Sequence, residues 1–129
     1  MKDIVDLPGL NSALATLKTP TSLLVRSSGQ LFSCGIPPLD LETQEIIQGD
    51  LRVQARAVLE IMKQALEGAG SSMEKVVKVT IYVTDTAHFA PVNEIYQQYF
   101  RAPFPVRSFV AVAPWPLPFD VEIDCIAEA

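Results

Sequence analysis

Residues 76–84, Val-Val-Lys-Val-Thr-Ile-Tyr-Val-Thr, alternate with period two along nearly their whole length. Val77, Val79, Ile81 and Val83 fall on one side, and Lys78, Thr80 and Tyr82 on the other. This is the pattern of a strand buried on one face only. Such a strand needs a second layer against its apolar face, so the chain must fold as at least two layers. The preceding segment supplies that layer. Leu51, Ala55, Val58, Ile61, Met62, Ala65 and Leu66 recur at spacings of three and four, while Arg56, Glu60, Lys63 and Glu67 lie largely opposite. The spacing predicts an amphipathic helix, capped by Asp50 and ended by Gly68 and Gly70.

The remaining segments fill in the order. Residues 1–20 are mixed and poorly periodic, broken by Pro8, Gly9 and Pro20. Strand-like runs at 22–26 and 31–35 flank Ser27-Ser28-Gly29-Gln30, which reads as a hairpin, and 39–49 reads as loop. Ser71-Ser72-Met73-Glu74 resembles a capping box opening a short turn. Asp85 or Thr86 is expected to cap a second helix reaching about Phe100, with Pro91 tolerated in its first turn. Two strands, 105–113 and 120–126, close the chain around the proline-rich loop that carries Trp115. The order is β-β-α-β-α-β-β over one domain, residues 1–129, without repeat or linker. The expected fold class is α+β two-layer, a mostly antiparallel sheet with two helices on one face.

Charge narrows the functions. A net charge of −5 and only ten scattered basic residues argue against nucleic acid, whose phosphates need clustered Lys and Arg. No apolar run approaches a membrane span. Apolar residues make up 49% of a short chain whose mean hydropathy is +0.25, so part of that surface is expected in a subunit interface. Asp3, Asp6 and Pro8 read against a secretory signal. Cys34 and Cys125 have no CxxC spacing, and the single histidine, His88, does not complete a zinc set. Both cysteines read as reduced core thiols of a cytoplasmic protein, and His88 as a surface or capping residue.

One arginine stands inside the apolar run Pro105-Val106-Arg107-Ser108-Phe109-Val110, and two carboxylates alternate in Val121-Glu122-Ile123-Asp124-Cys125. A guanidinium keeps its proton, so burial demands a partner for its charge and its donors. If Val106, Val110 and Val112 face the core, Arg107 and Phe109 face the other way. They then share the open sheet face with Lys78, Thr80, Tyr82, Glu122 and Asp124. That face is expected to be closed by a neighbouring subunit, with a pocket at the seam. The alternative is that Arg107 and Glu122 form an ion pair that knits the subunits. Asp124 is read as a partner for Lys78 or Arg107, Phe109 as a pocket wall or core residue, and Trp115 as a loop anchor or interface residue.

The segments Cys34-Gly35-Ile36-Pro37, Val77-Lys78-Val79-Thr80-Ile81-Tyr82-Val83-Thr84-Asp85, Phe89-Ala90-Pro91-Val92-Asn93-Glu94-Ile95-Tyr96, Pro105-Val106-Arg107-Ser108 and Val121-Glu122-Ile123-Asp124 occur in this succession. Together they resemble the Rid family (reactive intermediate deaminases, also called YjgF or endoribonuclease L-PSP proteins) over nearly the whole chain from about residue 19. The resemblance implies a chorismate-mutase-like fold and a homotrimer with pockets between subunits. It also implies hydrolysis of 2-imino acids, or their 2-amino enoate tautomers, to 2-oxo acids and ammonia without a cofactor. By the same resemblance Arg107 binds the substrate carboxylate, Glu122 handles the water, Gly35 and Asn93 line the pocket, and Phe89 stands at its edge. The chain departs from archetypal members at three points. Thr19-Pro20-Thr21 replaces a Gly-Pro-Tyr segment, Phe109 replaces a common cysteine, and the stretch from Asn93 to Arg107 is shorter. These departures suit a divergent branch. Other readings are a dedicated catabolic enamine deaminase of the 2-aminomuconate type, or a non-catalytic trimer that binds small 2-oxo acids or other proteins.

Overall fold

A computed structural model describes all 129 residues. In chain order the elements are β1 (Asp3–Ile4), α1 (Pro8–Ala15), β2 (Leu24–Ser27), β3 (Gln30–Ser33), α2 (Leu51–Gly68), β4 (Val76–Val83), α3 (Phe89–Tyr99), β5 (Val106–Ala111) and β6 (Val121–Glu128). The six strands form one sheet in the order β1-β2-β3-β6-β4-β5. Every pairing is antiparallel except β4–β5, where α3 carries the chain across to a parallel neighbour. The α+β two-layer architecture read from the sequence is therefore the observed one, with additions at the N-terminus.

The centre of the molecule is the β4–β6 pair. Val79 faces Cys125, Ile81 faces Ile123 and Val83 faces Val121 across the ladder, all of them buried. Each such aliphatic side chain contributes roughly 1.5–3 kcal/mol on burial. Against them α2 lays Ala55, Val58, Leu59, Met62 and Leu66, and α3 adds Val92 and Ile95 to the same core cluster. The Asp50 carboxylate accepts from the Arg52 and Val53 amides, so the expected N-cap is in place, a feature worth about 1 kcal/mol. At the other end Gly70 (φ +84°) lets its own N–H reach the Glu67 carbonyl and the Ser71 N–H reach that of Leu66. The β2–β3 hairpin turns through Ser28 and Gly29, both at positive φ, as a two-residue loop matched to strand twist requires. Gln54, fully buried, ties the start of α2 to the start of β6 through the Asp120 carboxylate and amide, and Thr84 takes the second Asp120 oxygen. Trp115 stacks on Phe119 at 4.6 Å and anchors the proline-rich loop.

Several expectations are corrected. Residues 1–20 contain a short edge strand and an eight-residue helix with Pro8 in its first turn, burying Ala13 and Leu14. Its apolar stripe is too short to register as a period. Val77 is exposed, because a bulge between Val76 and Lys78 shifts the alternation and Val76 is buried in its place. Ser72 makes no side-chain cap, and the segment after it is a single 3₁₀ turn. Cys34 is only partly buried, whereas Cys125 is in the core, and both are free thiols.

The largest correction concerns β5. Its parallel register sets Arg107 beside Val79 and Phe109 beside Ile81. Paired residues share a face, and that face lies under the helices. Arg107 and Phe109 therefore point to the helix side, while Val106 and Val110, 67% and 40% exposed, point to the open one. Lys78, Thr80 and Tyr82 remain on the open face, with Glu122 and Asp124 paired to Tyr82 and Thr80.

Candidate functional site

Two groups of side chains stand out, one on each side of the sheet. The first joins α3 to β5. The Asp85 carboxylate accepts from the Ala87 amide and starts the turn that leads into α3. His88, at the junction, makes no side-chain cap. Phe89, Asn93 and Tyr96 are spaced at i, i+4 and i+7, so they share one helix face, and that face meets β5. The Arg107 Nη2 donates to Asn93 Oδ1 at 2.5 Å. The guanidinium carbon lies 4.7 Å from the centre of the Tyr96 ring and 5.7 Å from that of Phe89. Phe89 meets Phe109 edge-on, with centroids 4.9 Å apart. The chain's two ion pairs, Arg52–Glu94 and Arg101–Glu74, are elsewhere. Arg107 is thus half-buried, held by a neutral amide oxygen and by ring faces, with no carboxylate partner. Four of its five N–H donors remain for an anion.

The second group lies on the open face, where the chain leaving β3 crosses β6. Ile36 and Ile123 exchange backbone hydrogen bonds, which brings Gly35 hard against Glu122. A methyl group on Gly35 would overlap the Glu122 carboxylate, so only glycine leaves room for it. Burial, and after it the negative charge of Asp124, pushes the Glu122 carboxyl above its usual range. Asp124 accepts from the Tyr82 hydroxyl at 3.0 Å, rather than from Lys78 or Arg107. Burial first, then the charge of Glu122, pushes the Cys34 thiol up to about 12, so it is no thiolate nucleophile at neutral pH. Beside this group Thr21 lines an open groove of about 500 Å³ with Lys2, Phe32 and Cys34.

Of the residues singled out from sequence, Arg107, Asn93, Phe89 and Phe109 come together on the helix side, and Glu122 and Gly35 on the open side. Within one chain the sheet separates the two sets, and Arg107 and Glu122 make no ion pair with each other. Tyr96, which the sequence reading does not single out, joins the helix-side group because its i+7 spacing from Phe89 puts its ring against Arg107. A larger hollow of about 800 Å³ lies between α2 and the end of α3, outside both groups. Four of its polar side chains bond in pairs, Tyr99 to Glu60 and Arg56 to Gln98, each at 2.8 Å.

The endoribonuclease L-PSP family model matches residues 11–129. The chain is 36% identical over 126 residues to Reactive Intermediate Deaminase A, chloroplastic, of Arabidopsis thaliana, covering 98% of this chain and 65% of that protein. Among solved structures, the Rid-family protein YyfA of Yersinia pestis superposes over the whole of both chains with a TM-score of 0.90 at 32% identity. The structure of E. coli TdcF with bound serine covers 86% of this chain and 89% of its own, with a TM-score of 0.80 at 36% identity.

Proposed function

The chain belongs to the endoribonuclease L-PSP, or Rid, family, and we propose that it is a cofactor-independent deaminase of 2-imino acids and their 2-amino enoate tautomers, releasing 2-oxo acids and ammonia. The observation that carries this reading is the half-buried Arg107 with no carboxylate of its own. A fork held on Asn93 and ring faces suits a planar carboxylate that arrives with a substrate. Serine, bound in TdcF, carries such a group.

The chemistry asks little more. An imine carbon is already electrophilic, and the enoate becomes an imine by taking a proton at C3. Water adds to C2 as Glu122 accepts its proton, giving a carbinolamine. Glu122 passes that proton to the nitrogen, the C2–N bond breaks, ammonia leaves, and the carbinolamine hydroxyl returns its proton to Glu122 as its oxygen becomes the carbonyl. Placement of substrate and water is the main contribution.

Arg107 and Glu122 serve one substrate only if two chains meet. We therefore read the protein as a homotrimer in which one subunit supplies Arg107, Asn93, Phe89 and Phe109 and its neighbour supplies Glu122 and Gly35. The outward Val106, Val110 and Phe32 support burial of the open face in such a contact. The edge-on Phe89–Phe109 pair favours a planar, unsaturated substrate, as the 2-aminomuconate-type reading requires.

The test generates imines from a panel of amino acids with an amino-acid oxidase and follows 2-oxo acid release against the uncatalysed rate. The expected result is acceleration that falls by on the order of 3 kcal/mol in transition-state terms, roughly a hundredfold or more, in Arg107→Ala. Arg107→Lys, which keeps charge but loses the fork, is expected to be badly impaired as well. No acceleration by the wild type, together with binding of 2-oxo acids, would leave the non-catalytic reading. Normal turnover by Arg107→Ala would remove the role of the arginine.

A further inference from the structure

The Tyr96 hydroxyl is the one buried side-chain polar atom in the chain without a hydrogen bond. The residue is 3% exposed, its ring packed on Phe100 at 4.6 Å and lying against the Arg107 guanidinium. A buried hydroxyl without a partner destabilises the fold, and phenylalanine would fill the same space without that penalty. Over the same ring, its carbon 4.7 Å from the ring centre, stands the other unmet requirement of this face, a guanidinium with donors to spare and no anion. A single carboxylate satisfies both, since its two oxygens accept from two different donors at once.

We infer that Tyr96 is a substrate-binding residue whose hydroxyl donates to the carboxylate held by Arg107. Asn93 takes one guanidinium N–H and the tyrosine ring covers one face, so the fork is steadied by the residue that supplies the additional donor. Burial holds the phenol above its ordinary value against the opposing pull of Arg107, so it stays a neutral donor at neutral pH. The identity of the ligand as a 2-imino or 2-oxo acid rests on the function proposed above; the pairing of orphan hydroxyl and unpaired cation does not.

Tyr96→Phe keeps the ring, and with it the contacts to Phe100 and Arg107, so the variant is expected to fold. The experiment titrates 2-oxobutanoate into wild type, Tyr96→Phe and Arg107→Ala by calorimetry, and records the melting temperature of each unliganded protein. The expected result is binding about ten- to a hundredfold weaker in Tyr96→Phe, with a melting temperature no lower than wild type. Unchanged affinity overturns the inference, and a lowered melting temperature with unchanged affinity identifies a structural hydroxyl instead. A wild type that neither binds 2-oxobutanoate nor turns over any imine removes the proposed function along with it. Normal wild-type binding that Tyr96→Phe leaves intact removes the tyrosine's role alone.

Discussion

Arg107 and Glu122 are each half-buried without a partner of opposite charge in their own chain, which is unusual for groups that pay for desolvation. For Glu122 the consequence is a carboxyl raised above its ordinary value of 4.5, by burial first and by Asp124 second. A base must be ionised to accept a proton from water. Acidification protonates Glu122, and the raised pKa moves this loss to higher pH than for an exposed glutamate. The pH profile of kcat/KM should therefore show an acid limb above the ordinary carboxylate value, and Glu122→Gln should abolish both the limb and most of the rate. A limb that persists in the glutamine variant would assign it to another group. Both residues were legible in the sequence as charges in apolar strands. Tyr96 was not, because a tyrosine on an amphipathic helix looks like packing until its hydroxyl is found to have no partner.

The element that sets the open-face group is the crossing of the chain after β3 over β6. The Ile36 amide bonds the Ile123 carbonyl at 2.8 Å, so the backbone at Gly35 cannot retreat from Glu122. In Gly35→Ala the part that must give is the tip of the glutamate, not the backbone. The expected result is little change in melting temperature and a fall in kcat/KM of about tenfold or more, since displacement by an ångström can be that costly. Thermal melts and steady-state kinetics on the same preparation check this; a large loss of stability with normal kinetics would contradict it. On the helix side the controlling element is the parallel β4–β5 ladder. Its register fixes Arg107 beside Val79, under α3 and the side chains of Asn93 and Tyr96.

For the whole molecule, the proposed site, with its residues divided between the two faces of one sheet, predicts sharing between subunits. Light scattering should give a mass near three chains. Refolding Arg107→Ala and Glu122→Gln subunits together in equal amounts offers a sharper test. A complete site draws its arginine from the glutamine variant and its glutamate from the alanine variant. Each choice succeeds half the time, so about one quarter of the sites, and of wild-type activity, should return in a randomly mixed closed ring. Sites made within single chains would give no recovery from two inactive parents.

The pattern of residues 50–84 by itself determined the layering: a period of 3.6 capped at Asp50, then a period of two with Val on one side and Lys, Thr and Tyr on the other. The bulge at Val77 moved one residue of that strand without moving its face. Strand β6 was equally explicit, because its two rows are apolar and acidic. Strand β5 was not, because Val106 and Val110 form one apolar row while Phe109 puts a large apolar side chain in the row of Arg107. Alternation tells which residues of a strand share a side and leaves open which side of the sheet that is. Only the tertiary structure decided it, through the ladder to β4 and through α3, which offers an amide oxygen and aromatic faces where a guanidinium can be partly buried without a carboxylate.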